Sequence, residues 1–354
     1  MISRIAGLGW VTPLGMGLDE VWTRIAAGDA AEIKIIANPE TGRTHPYAPV
    51  PLKMVESVGR NPRMRRSSAI SYFAVAAGLA ALENAGLAIT PETAAKTALV
   101  FAISSGGVIY TRKFYEQIVK QGANAASPLL FPETVYNAPA SHLAALLGID
   151  GASYTLVGDS SVGLAALKFG EQLLAMGNLD RVVVVGSEEM DWVLCEAYRD
   201  WRLTRSNPAG KSGALLAEGA AAVVLAREGG IDVPVIHPGV PFFRRSEAAS
   251  AFECAISETL AGRSVDIVIG GANGSFVDRI ERAAIAAHCP DAECIFPKLA
   301  LGEALGAGAL MQVVAGALAM RHRGKTSALV SSIGFNQQAS CALLRLPTLE
   351  ERSS

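Results

Sequence analysis

Charge is scarce in this sequence. Asp, Glu, Lys and Arg make up 18% of the 354 residues, while half are hydrophobic. With 31 basic against 33 acidic residues and a net charge of −2, nothing draws the chain to nucleic acid or an anionic membrane. Cysteine is also sparse. Cys195, Cys254, Cys289, Cys294 and Cys341 are scattered and form no CxxC pair. This excludes a zinc ribbon or a disulfide framework and predicts reduced thiols in a cytoplasmic protein. No metal-ligand cluster, nucleotide motif or pantetheine-attachment serine context is present, so no metal and no cofactor is expected. GGANGS and LGEALGAGAL are rich in glycine but lack Walker or Rossmann spacing. Long apolar runs are missing too. The longest uncharged stretch, Ala304 to Met320, carries Gln312, is mostly Ala and Gly, and predicts a buried helix instead of a membrane span. The N-terminus MISRIAGLGWVTPLG alternates like a strand and lacks a signal-peptide apolar core.

Within this apolar chain, strand-like and helix-like segments alternate. Ser3 to Val11 reads as a strand, Ser67 to Ala85 as a buried helix capped by serine and stopped at Gly86, and Thr97 to Ile103 as a buried strand. Five prolines between Ala30 and Arg66 predict a loop. The basic run RNPRMRR reads as a solvated or interface loop, with an anionic carrier as the other reading. Beyond residue 228 the pattern repeats: a helix over 246–261, a short strand over 266–269, a helix over 275–288 and a strand over 327–333. Buried β-branched strands between helices predict an α/β protein with parallel sheets covered on both faces. The short linker Arg227-Glu228-Gly229-Gly230 predicts two closely packed halves, 1–228 and 229–354.

The chemical signal is TLVGDSSVGLAAL, residues 155–167. A strand runs through a small-residue turn into a helix, with Ser160 at the turn. Free N–H groups and the positive end of the helix dipole favour developing negative charge there. Asp159, next to it, is expected to cap the helix and to point away from Ser160.

Several motifs in order then point to a family. GLGWVTPLG, AALENAGL, SPLLFPETVYNAPASHLAALLG, TLVGDSSVGLAAL, AEGAAAVVLARE and IGFNQQ together resemble the β-ketoacyl synthases of the thiolase fold. The resemblance implies two similar halves in α-β-α-β-α layers. It also implies condensation by a cysteine thiolate assisted by two histidines. Here the cysteine position falls on Ser160, and the two histidine positions on Gly271 and Glu303. Lys298 and Gly302 keep the charged motif, and Phe335 is similar to the gating phenylalanine. Ser105, Leu129, Leu130, Phe131 and Tyr136 fall where the acyl pocket of such enzymes meets the dimer partner. Glu218 and Lys298 are expected in a buried charged network.

A serine hydroxyl is un-ionised near neutral pH and needs a base, whereas a thiol is easily tuned. The resemblance with these substitutions implies a non-condensing subunit. It would pair with an active β-ketoacyl synthase and an acyl carrier protein as a chain-length factor in type II fatty-acid or polyketide synthesis. The alternative is a serine-dependent acyltransferase, hydrolase or decarboxylase. In that case Glu303, or less suitably Asp159 because it points away, would be the base for Ser160, and the N–H groups of Ser160 and Phe335 an oxyanion hole. A coenzyme A-dependent thiolase is a third reading, suggested by Cys341 alone.

Overall fold

The computed structural model describes residues 3–335 and 338–347. Its strands are β1 (Ser3–Val11), β2 (Lys34–Ala37), β3 (Thr44–Ala48), β4 (Thr97–Ile103), β5 (Ser153–Val157), β6 (Arg181–Glu188) and β7 (Leu216–Ala217). There follow β8 (Gly219–Ala226), β9 (Ile231–Ile236), β10 (Val240–Pro241), β11 (Ile267–Ile269), β12 (Glu293–Ile295), β13 (Ser327–Ile333) and β14 (Gln338–Arg345). Among the described residues eleven strands form one sheet in the order β12-β11-β13-β14-β9-β1-β8-β6-β4-β5, with β10 beside β14. Read outward from the β1–β9 seam, the two sides have the same pattern. In each, an antiparallel strand (β8 or β14) lies between the seam and a set of parallel strands.

The sheet is therefore mixed, not parallel as the strand–helix alternation predicts. Strands β8 and β14 run against both of their neighbours. Alternation along a chain says nothing about a strand that returns between two others, because that pairing is set by contacts far apart in sequence.

The layers follow from the two-residue period of the strands. On β4, Ala98, Val100 and Ala102 enter the core that holds the helices Val162–Ala175 and Gly308–Arg323. Leu99, Phe101 and Ile103 enter a second core under the helix Ala69–Asn84. On β13, Ala328 and Val330 face the first core. Leu329 and Ile333 face a third, under the helices Ala248–Leu260 and Val277–His288. Two central helices between two sheet regions, with helices outside, make the five expected α-β-α-β-α layers. The helix Ala69–Asn84 lies close on β1 because Gly7 and Gly9 carry no side chain. A Cβ on Gly7 would fall on the carbonyl oxygen of Ala81, and one on Gly9 would lie 2.7 Å from the amide nitrogen of Ala81.

Two local readings change. Residues 30–66 are not all loop: β2 and β3 form a hairpin, and β3 pairs with β7 to make a separate three-stranded sheet. The N-cap of the helix Ala69–Asn84 is also not supplied by the Ser68 hydroxyl, which donates to Glu189. The Glu189 carboxylate accepts the Ile70 N–H at 3.1 Å and satisfies the helix terminus in its place. No helix among the described residues is long and apolar enough to cross a membrane.

Candidate functional site

Strand β5 ends at Val157, and the chain turns through Gly158, Asp159 and Ser160 into the helix Val162–Ala175. The elbow read from the sequence is present, but its serine is sealed. Ser160 is 0% exposed, and its Oγ has no hydrogen-bond partner among the described residues. Its carbonyl accepts from Ser332 Oγ on β13 at 3.0 Å, which ties the elbow to the other side of the sheet. The Asp159 carboxylate lies against the α-carbon of Gly334, where only glycine leaves room for it. It also accepts from the Ser161 N–H at 3.4 Å and from Ser161 Oγ at 3.3 Å. Ser161 is the N-cap of the helix, which has no side-chain cap hydrogen bond, so Asp159 holds the N-cap residue and does not cap the helix as expected.

Gly271 and Glu303, the residues expected at the family's histidine positions, lie in a buried polar centre. Glu303, fully buried, accepts from Lys298 Nζ at 2.9 Å, Asn273 Nδ2 at 2.8 Å and the Leu305 N–H at 3.1 Å. Both of its oxygens are engaged, and no hydrogen bond joins it to Ser160, so it is not placed as the base that the alternative reading needs. The Gly271 N–H donates to Glu281 Oε1 at 2.6 Å, and Ser331 Oγ donates to the same oxygen at 2.6 Å. Burial raises the pKa of Glu281.

No histidine serves the elbow. Each of the five faces a carboxylate elsewhere: His45 with Glu196, His142 with Glu133, His237 with Glu258, His288 with Glu253 and His322 with Asp19. Lys298 and Glu218 do not pair with one another. Lys298 takes Glu303, while Glu218 accepts backbone N–H groups of Val50 at 3.0 Å and Met190 at 3.2 Å. With no cation beside it, the Glu218 pKa is pushed up to about 7 by burial.

Beside the elbow a cavity of about 530 Å³ opens, with Gly158, Asp159, Tyr198 and Phe335 on its wall. Phe335 meets the Tyr198 ring edge-on at 5.9 Å between centroids. Ser160 does not line this cavity, and neither do Ser105, Leu129, Leu130, Phe131 or Tyr136. Leu129, Phe131 and Tyr136 lie on the surface, 59%, 55% and 48% exposed. Asn336 and Gln337 of the IGFNQQ motif lie outside the described residues.

Sequence reasoning missed two carboxylates. Ser105 Oγ and the N–H groups of Ser104 and Ser105 donate to Glu188, and the Ile109 N–H donates to Glu189 at 3.0 Å. Both glutamates are 0% exposed. Burial pushes Glu188 up to about 8 and raises Glu189. The signal was the run SEEMD at the end of an apolar strand: acids with no cation nearby must be held by backbone donors.

Comparison with known proteins agrees with this architecture. The family model described as "Beta-ketoacyl synthase, N-terminal domain" matches residues 4–229. The chain is 23% identical over 186 residues to 3-oxoacyl-[acyl-carrier-protein] synthase 2 of Vibrio cholerae, which covers 52% of this chain and 45% of that protein. It thus spans under half the length of that relative. A putative polyketide beta-ketoacyl synthase 2 of Streptomyces halstedii is 26% identical over 361 residues, covering 90% of this chain and 84% of that protein. Among solved structures, the ishigamide ketosynthase/chain length factor superposes with a TM-score of 0.82 at 21% identity, covering 98% of this chain and all of that one. The ketosynthase ApeO in complex with its chain length factor ApeC, from Xenorhabdus doucetiae, gives 0.78 at 16% identity and 98% coverage of both. These likenesses give the fold as the thiolase-like fold of ketosynthases. The match over 4–229 and the elbow between sheet and helix place the chain in the β-ketoacyl synthase family.

Proposed function

We propose that the chain is a non-condensing ketosynthase-like subunit, 1–228 and 229–354 forming its two halves. It pairs with an active β-ketoacyl synthase as a chain-length factor in type II polyketide or fatty-acid synthesis. The observations that carry this reading are the sealed Ser160 hydroxyl, with no hydrogen-bonded base among the described residues, and the buried Lys298–Glu303 pair at a position where the family is expected to carry a histidine. Decarboxylation of a malonyl group needs neutral donors at the enolate oxygen, and a buried carboxylate there opposes the developing negative charge. The serine-dependent alternative has no support from this geometry.

The surface supports pairing. Strand β5 is an edge of the large sheet, with Tyr154 41% and Val157 55% exposed, and Leu129, Phe131 and Tyr136 also open to solvent. An unprotected edge with apolar neighbours is suited to a permanent partner. Leu129, Leu130, Phe131 and Tyr136 would then border the partner's acyl tunnel, with Ser105 held beneath them by Glu188. The exposed arginines 63, 65 and 66 ahead of the helix Ala69–Asn84 suit an acidic acyl carrier protein. Co-expression with a β-ketoacyl synthase encoded nearby, followed by size exclusion with mass analysis, tests the pairing. A one-to-one heterodimer is expected. Recovery of this chain only as monomer or homodimer would contradict it.

A further inference from the structure

His237 is a buried histidine that neither the elbow nor the proposed pairing uses. It is 7% exposed and follows β9, in the turn His237-Pro238-Gly239 that leads into β10. Its ring is held at both nitrogens. Nδ1 lies 3.0 Å from the Gly239 amide nitrogen, and Nε2 lies 2.9 Å from Glu258 Oε2 on the helix Ala248–Leu260. A backbone N–H can only donate, so Nδ1 is the nitrogen without a proton. The ring proton therefore sits on Nε2 and is donated to Glu258. In this form Nδ1 acts as an asparagine oxygen does in an Asx turn, accepting from the backbone two residues on.

The turn is also fastened to β14. The His237 N–H donates to the Cys341 carbonyl at 2.8 Å, and Ser340 Oγ donates to the His237 carbonyl at 2.9 Å. Gln338 Nε2 donates to the Pro238 carbonyl at 3.4 Å. Gly239 has φ +101°, and a Cβ there would fall on Gln338 Nε2, so the turn and this side chain are in close contact. Through Oε1 the same Gln338 accepts from Ser161 Oγ at 3.2 Å. One side chain thus bridges the turn and the N-cap of the elbow helix. Among the described residues the charged group bonded to His237 is Glu258, whose other oxygen accepts from Cys254 Sγ at 3.2 Å. From β14, Gln338 and Ser340 carry no charge, and burial raises the Cys341 thiol pKa well above its ordinary value.

We propose that His237 is a pH-sensitive latch: a proton taken up by Nδ1 frees the turn 237–239 and, with it, the hold of Gln338 on the elbow. The second ring proton has to go to Nδ1, where the Gly239 N–H already points, so two donors then face one another and a hydrogen bond is lost. The ring does not turn away, because its Nε2–H and the Glu258 carboxylate then form a charge-assisted contact. Gly239 moves instead, and its close neighbour is Gln338. Histidine is the side chain whose charge changes between about pH 5 and 8. The inference rests on contacts within this chain and not on pairing with a ketosynthase.

Hydrogen–deuterium exchange of the full chain at about pH 5.5 and about pH 8, each corrected for the intrinsic exchange rate, tests it. Residues 237–241 should lose protection by about tenfold at the lower pH, the effect of one lost hydrogen bond. Residues 158–162 should lose protection over the same pH range. His237→Asn keeps an acceptor for the Gly239 N–H but takes up no proton, so its protection should be the same at both pH values. Glu258→Gln, at an exposed position, should move the change to lower pH, because the imidazolium loses its counter-charge. Nitrogen-15 spectra of the histidine-labelled chain should show the proton on Nε2 at about pH 8. Equal protection of 237–241 at both pH values would overturn the proposal, as would an equal loss in His237→Asn or a proton on Nδ1 at the higher pH. Loosening of 237–241 with 158–162 unchanged would overturn the link to the elbow. The spectra and the exchange of the unaltered chain decide the matter even if His237→Asn misfolds.

Discussion

Replacing Glu303 by glutamine removes one charge from a buried pair and keeps the side-chain shape. Lys298 and Glu303 are 3% and 0% exposed at their side chains and 2.9 Å apart. Glutamine turns an N–H donor toward the ammonium or leaves it without a counter-charge, in either case in a site that water does not reach. Breaking a buried pair at one end costs about 3–5 kcal/mol, because the remaining charge is not compensated. Lys298→Met should cost a similar amount from the other side. The double variant Lys298→Met/Glu303→Gln removes both charges and should be destabilised by less than the sum. It would retain about 1–3 kcal/mol of loss, because glutamine replaces the carboxylate acceptor of Asn273 Nδ2 and the Leu305 N–H only in part. Two singles of about 3–5 kcal/mol each set against that loss give a coupling of at least about 3 kcal/mol, at or above the upper end for contacting residues. Urea unfolding of the purified chain followed by circular dichroism measures all four states. If Glu303→Gln stayed within about 1 kcal/mol of the unaltered chain, or the two singles simply added, the pair would not be structural. Glu303 would then be free for chemistry.

Four further outcomes are expected. Ser160→Ala should be neutral or stabilising in thermal unfolding, because it removes a buried hydroxyl that has no partner among the described residues. Gly9→Ala should lower the melting temperature markedly, since its new methyl group would press on the backbone of Ala77 and Ala81. The Glu188 pKa rises from 4.5 to about 8 in the folded chain, so between those values the folded state holds a proton that the unfolded state releases. Stability should therefore fall as pH rises from about 4.5 to about 8, and the fall should be shallower in Glu188→Gln, as urea midpoints at several pH values would reveal. Phe131→Ala should change the product length made with the partner ketosynthase, read by mass spectrometry of the products. Identical products from an intact complex would remove Phe131 from the tunnel wall.

Much of the arrangement was legible because it is written in local pattern. The elbow at Ser160 and the helix after it are announced by a strand meeting small residues. The helix over 67–85 was legible as buried from its small and apolar residues, whereas its close approach to Gly7 and Gly9 of β1 was not read in advance. What escaped depends on distant contacts. Nothing near β8 or β14 reveals that each returns antiparallel between two neighbours. The β2–β3 hairpin was hidden by Pro39 and Pro46, which exclude helix but not a strand. The cavity wall is similar: Asp159, Tyr198 and Phe335 are far apart in sequence and meet only through the sheet order. Glu188 and Glu189 were readable in part, because SEEMD closes an apolar strand, but their donors come from loop and helix-start residues eighty or more positions away.

The most direct measurement is the intact mass of this chain, purified with its ketosynthase after incubation with an acyl-loaded carrier protein and malonyl donor. The account predicts an acyl group on the partner and an unchanged mass for this chain, since Ser160 is enclosed and has no hydrogen-bonded base among the described residues. An acyl adduct on this chain that disappears in Ser160→Ala would contradict it.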